Sequence, residues 1–93
     1  MVVMIKSAPG TPEAKRGIAL AGDLTADLVL IQNAVYLAPQ GQMRGYRGAV
    51  YVLDEDLRMR GVGPEADIGA VKRIDYDMLV DLLTKADQVH GVF

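Results

Sequence analysis

The sequence contains no cysteine, no tryptophan and a single histidine, His90. Without a thiol the chain forms no disulfide, offers no thiolate to a metal and cannot take up a further sulfur atom as a persulfide. One histidine cannot assemble a histidine-rich metal site. A catalytic triad would have to be built on His90, close to the last residue. Charge of one sign is missing too: ten Lys and Arg stand against twelve Asp and Glu, a formal net charge of −2. No global field draws such a chain to nucleic acid or anionic lipid, so direct nucleic-acid binding is not expected. No run approaches the roughly 20 apolar residues of a membrane span. The apolar start, Met1 to Ile5, is broken by Lys6 and Pro9 and lacks the pattern of a signal peptide. These readings predict a cytoplasmic protein without a membrane anchor. Glycine-rich phosphate loops are also absent, since neither GxGxxG nor GxxxxGK[ST] follows the first apolar run.

What is present reads as a folded domain. Hydrophobic residues make up 51 % and charged residues 24 %, which separates the chain from disordered compositions. Its 93 residues suit a single domain, 1–93. A chain this short buries roughly 60–65 % of the surface it exposes when unfolded, so contacts with other subunits would add to its stability.

Strand and helix signals alternate. Val2 to Ile5 reads as a strand buried on both faces. Thr11 can cap a helix with Pro12 at its first position, Ala14, Ile18 and Ala21 on its apolar face and Gly22 as its stop. Leu28 to Ile31 is a second strand, and Asn33 can cap a short helix carrying Val35, Tyr36 and Leu37. Gln40 to Gly48 is polar and glycine-rich, as expected of a loop. Ala49 to Leu53 is a third strand, followed by a helix capped by Asp54 and stopped by Gly61. Val71 to Ile74 is a fourth. Asp75 caps a helix whose apolar face is Tyr76, Leu79, Val80 and Leu83. Val89 to Phe93 forms a fifth strand or a tail. Helical crossovers between strands demand parallel pairing. The predicted fold is therefore α/β: a three-layer α/β/α sandwich with a mostly parallel four- or five-stranded sheet.

Ligands and partners of open parallel sheets meet the carboxyl ends of the strands. Those ends carry Lys6 and Ser7, Gln32 and Asn33, Asp54 and Glu55, and Asp75 and Tyr76. Helix capping alone accounts for Asn33, Asp54 and Asp75, whereas Gln32 has no capping duty. Asp54, Glu55 and Asp56 form an acidic run, but consecutive residues of a first turn diverge and do not enclose a cation. A solvated first turn is the expectation, with no metal site. Arg44 and Arg47 flank Tyr46 in the only basic and aromatic patch. No catalytic residue and no cofactor is predicted. Gln32, Asn33, Tyr36, Arg44 and Arg47 are the candidate contacts for a partner or ligand.

Four stretches resemble one family. Leu28 to Leu37, LVLIQNAVYL, resembles the TusB/DsrH signature LIxDAVY or LLxDGVY. VYVLDEDLRMRG, from Val50 to Gly61, resembles YVLxxDLxARG. IDYDMLVDLL, from Ile74 to Leu83, resembles VDYxxFVDL, and Lys6, Ser7 and Pro9 resemble an NKSP start. The matches run in order along nearly the whole chain. The resemblance implies a DsrEFH-like fold and assembly with TusC/DsrF-like and TusD/DsrE-like subunits. It implies a non-catalytic subunit supporting persulfide transfer, for tRNA wobble uridine 2-thiolation or for sulfur oxidation. Some members carry a cysteine on the first helix, where this chain has Gly17 and Ile18, and Asn33 replaces a common aspartate. The alternative is a stand-alone homo-oligomer that binds a small ligand at the carboxyl edge of its sheet.

Overall fold

A computed structural model describes residues 1–93. Five strands, β1 (Val2–Ile5), β2 (Asp27–Leu30), β3 (Val50–Leu53), β4 (Lys72–Ile74) and β5 (Val89–Val92), build one sheet. Three α-helices accompany them: α1 (Pro12–Leu24), α2 (Asp54–Met59) and α3 (Tyr76–Lys85). Two short 3₁₀ helices, Gln32–Leu37 and Pro39–Gly41, lie between β2 and β3. The strand order is β4-β3-β2-β1-β5, and every pairing is parallel. The sheet is thus wholly parallel, and the carboxyl tail is its fifth strand.

The chain order explains the layers. From β1 to β4 each strand is laid beside the last in one direction. Right-handed crossovers therefore put α1, the 3₁₀ helices and α2 on one face. The step from β4 back to β5, beside β1, reverses direction and puts α3 on the other face. Alternation along the strands supplies both faces with apolar side chains. On the first face Val3, Ile5, Leu28, Leu30, Val50 and Val52 pack with Ala14, Ala21, Val35 and Leu57. On the second, Val2, Val29, Leu53 and Ile74 meet Leu79, backed by Leu82 and Leu83.

Some ends differ from the sequence expectation. Thr11 caps α1 as expected, its hydroxyl accepting the Ala14 N–H at 3.2 Å. The helix does not stop at Gly22 but runs to Leu24. Thr25 adopts a left-handed conformation, φ 53°, and two bonds close the end: Thr25 N–H to Gly22 C=O and Ala26 N–H to Ala21 C=O. This is the Schellman closure, and an exposed helical Gly22 is merely tolerated. Asp75 caps α3 through the Met78 N–H at 2.8 Å. The sheet-facing stripe of α3 is the buried Leu79 with the half-buried Leu82 and Leu83, continued by Ala86 just past the helix end. Tyr76 and Val80, placed on the apolar face by the sequence, are 55 % and 62 % exposed. The helix carries two overlapping apolar stripes, and the sheet covers only the one nearer its C-terminal end.

Candidate functional site

The carboxyl ends of β2 and β3 carry a bonded network that the chain assembles from distant residues. Just beyond β2, Gln32 turns with φ 50°, a region costly for a residue with a side chain. Its N–H donates to Asp56 Oδ2 at 2.7 Å. Asp56, on α2, is the one buried charged residue, at 8 % exposure. Arg60 stands one helical turn on, with its Nη1 3.8 Å from Asp56 Oδ1 and 3.2 Å from the Asp56 carbonyl. Its Nε donates to Asn33 Oδ1 at 3.0 Å. One carboxylate thus locks the start of the Gln32–Leu37 helix onto α2, and the Gln32 and Asn33 side chains remain at the surface.

Three expectations are corrected here. Asn33 does not cap the short helix, which starts after Ile31 with no side-chain cap; its amide oxygen is taken by Arg60. Asp56 is not solvated, because a backbone N–H and a guanidinium compensate its burial. Asp54 is not a cap either, since α2 follows Leu53 without one. Asp54 instead pairs with Arg58 and with Arg73, each at 3.0 Å, and Arg73 also donates to Gly63 C=O. The sequence expectation left Asp56 solvated and did not pair it with Arg60, although their i, i+4 spacing is a usable signal.

The other two candidates lie at the opposite end of the sheet, about 13 Å away along a four-residue strand. The Gln40–Gly48 segment packs against the amino ends of β2 and β3. The Tyr46 hydroxyl donates to Ala26 C=O at 2.6 Å, and burial, with the nearby Asp27 charge, pushes that phenol above its ordinary pKa. Because burial and the Asp27 charge disfavour the phenolate, the stability present below the phenol's ordinary value is lost as pH rises through the raised one. Gly48 is required here, since a Cβ would stand 2.5 Å from Ala26 O. Arg44 lines a groove of about 680 Å³ with Met43, Asp67, Ile68 and Val71. Arg47 lines a smaller one, about 310 Å³, beside Gly22 and Thr25. Tyr36 shares its helix with Gln32 and Asn33, and its carbonyl accepts from the Gln42 side chain at 2.7 Å. The structure therefore puts Gln32 and Asn33 at the carboxyl edge and Arg44 and Arg47 at the amino edge, with Tyr36 further along the Gln32–Leu37 helix and tied through its carbonyl to Gln42.

The first helix has no room for a sulfur carrier at Gly17. A Cβ there would lie 2.7 Å from Ile5 Cγ1, and the neighbouring Ile18 packs into the core. No three His, Cys, Asp or Glu side chains gather to hold a metal ion. No helix is long and apolar enough to cross a membrane.

Comparison with known proteins adds a family and a fold. Residues 12–89 match the family described as DsrH like protein. Among solved structures, the crystal structure of the YchN protein from E. coli superposes with a TM-score of 0.71 at 21 % identity, covering 97 % of each chain. At that identity the likeness establishes the α/β fold. No curated protein sequence matches the chain.

Proposed function

The chain belongs to the DsrH-like family of sulfur-relay proteins, which generally work in complex with DsrE- and DsrF-like proteins, and on that premise we propose that it is a non-catalytic, one-domain subunit of a cytoplasmic relay assembly. Its task is to support persulfide transfer toward tRNA wobble uridine thiolation or sulfur oxidation. The observation that carries the reading is a family match over residues 12–89 in a chain with no cysteine. Persulfide transfer needs a thiolate to attack the outer sulfur of a donor persulfide. The donor S–S bond breaks and the donor leaves as a thiolate. The attacking thiolate must come from a TusD/DsrE-like partner. This subunit shapes the surface on which that partner or a TusC/DsrF-like one docks.

The docking surface we favour is the exposed side of the Gln32–Leu37 helix, with Gln32, Asn33 and Tyr36. Tyr36 is 42 % exposed, and an aromatic residue presented on a rigid element suits an interface anchor. The Asp56 and Arg60 bonds hold that element in place. Arg44 and Arg47 form a second, separate candidate contact at the other end of the sheet. The test is co-purification of the chain with cysteine-bearing paralogues. The proposal expects a stable complex that Tyr36→Ala weakens by about tenfold or more. A chain that captures no paralogue, and forms a homogeneous homo-oligomer with a bound metabolite, would favour the stand-alone ligand binder instead.

A further inference from the structure

A groove of about 680 Å³ lies at the amino edge of the sheet, away from the favoured docking surface on the Gln32–Leu37 helix. We propose that it binds a small zwitterion with an apolar body, of the class of free apolar amino acids. Its volume of about 680 Å³ lies inside the range of small-molecule sites. Its floor is apolar, with Met43 and Ile68 packed on the main core and Val71 belonging to it. Its two walls, the segments 38–50 and 67–72, are tied together by the bond from Gln40 N–H to Asp67 C=O at 3.3 Å. The bond from Tyr46 to Ala26 fixes the first wall to the sheet. Gly41, Gly45 and Gly69 line the groove with positive φ, so the walls turn sharply and carry no side chains there.

The charges of the groove name the ligand. Arg44 reaches back over Gly41, its Nη2 3.2 Å from where a Cβ would stand, and the guanidinium has neither a hydrogen-bond acceptor nor a carboxylate partner. The Asp67 carboxylate accepts only the Gly69 N–H, at 2.9 Å, and meets no cation. By contrast, Asp54, Asp56, Arg58, Arg60 and Arg73 are all paired. Lys72 also borders the groove, but its ammonium lies over the Tyr51 ring, 5.9 Å from the centroid, on the side of the sheet covered by α3. Arg44 and Asp67 are thus the free cation and anion on the groove side, and they do not bridge each other. A ligand carboxylate satisfies Arg44 in the two-pronged geometry that guanidinium favours. A ligand ammonium satisfies Asp67, and the apolar body covers Met43, Ile68 and Val71. A simple anion would meet repulsion from Asp67, and a simple cation from Arg44. A polyanion such as nucleic acid needs a basic stripe that this groove lacks.

The experiment is a titration of the ¹⁵N-labelled full chain, read by backbone amide shifts, with L-leucine, 4-methylpentanoate and 3-methylbutylamine. The three share one apolar body and differ in charge. The proposal expects saturable shifts with leucine in segments 40–48 and 67–71. It expects both analogues to bind about tenfold more weakly or worse. Arg44→Met and Asp67→Asn should each weaken leucine binding by a similar factor while leaving thermal unfolding unchanged. Absence of saturable shifts at about 10 mM leucine, weaker than specific small-ligand binding of this kind, would overturn it. So would equal binding of the carboxylate alone. Loss of stability in both variants without any ligand shift would mean that Arg44 and Asp67 serve each other. None of these readouts involves the Gln32–Leu37 surface, so failure here leaves the docking proposal standing, and the converse holds.

Discussion

Asp56 is where a residue-level substitution should be felt most at the carboxyl edge. It compensates a backbone N–H held at positive φ and a guanidinium, and it is itself buried. Asp56→Ala strands both partners, and we expect a loss of about 3 kcal/mol in denaturant unfolding. Asp56→Asn keeps an acceptor and should lose less. A change below about 0.5 kcal/mol for the alanine variant, the range of an uninvolved surface site, would contradict the network. Gly17 makes the opposite kind of point. Placing a cysteine there drives its Cβ into Ile5. Gly17→Cys should cost about 1–3 kcal/mol by overpacking, and melting temperature checks it directly. Unchanged stability would show that α1 can move aside. The residues legible from sequence were those with local duties: Thr11 and Asp75 each cap a helix through an N–H three residues on. Asn33 and Asp54 stand in the same kind of position yet do not cap: Asn33 binds Arg60, 27 residues away, and Asp54, beside its local pair with Arg58, binds Arg73, 19 residues away. Nothing local in the chain announces such a partner.

Elements were legible in kind and order, and less so in extent. The four apolar runs became strands: β1 keeps the expected Val2–Ile5, and the other three are shifted or trimmed by one residue. Hydrogen bonding to neighbouring strands, rather than hydropathy, sets the boundary. Asp27 shows why. It is polar, yet it opens β2, and its carboxylate accepts the Ala49 N–H at 3.0 Å just before β3 begins. The end of α1 supplies a prediction at this scale. Thr25 is β-branched and sits at φ 53°, where glycine carries no steric penalty. Thr25→Gly should stabilise the protein by on the order of 1 kcal/mol, read as a rise in the unfolding midpoint. A lower midpoint would mean that the Thr25 side chain contributes more than its backbone costs. On α3 the expected face holds at Leu79 and Leu83 and fails at Tyr76 and Val80, for a reason of the same scale. Two stripes offset by three residues satisfy the same periodicity, and only the position of the helix over β3 and β4 decides between them.

For the whole molecule, the topology leaves the second face of the sheet covered by one helix. Tyr76, Met78 and Val80 on α3, together with Val89, Phe93 and Met59, are large apolar side chains left exposed. Both edges of the sheet, β4 and β5, are open. A small domain with this surface gains from association. Sedimentation should show self-association of the isolated chain, or its capture by paralogues, and a strict monomer at high concentration in the presence of those paralogues would count against it. The α/β architecture was readable from alternating strand and helix signals. The amino-edge groove was not, because it forms only when the loop of Met43 and Arg44 folds against that of Asp67 and Ile68. The central claim is that this subunit serves a relay without carrying its sulfur, and one measurement reaches it directly. The chain is mixed with a cysteine-bearing DsrE-like partner and a persulfide donor, and each polypeptide is weighed intact. The account predicts a reductant-sensitive gain of sulfur on the partner only, with this chain unchanged in mass and bound to it. A stable, reductant-sensitive sulfur addition to this chain alone would contradict it.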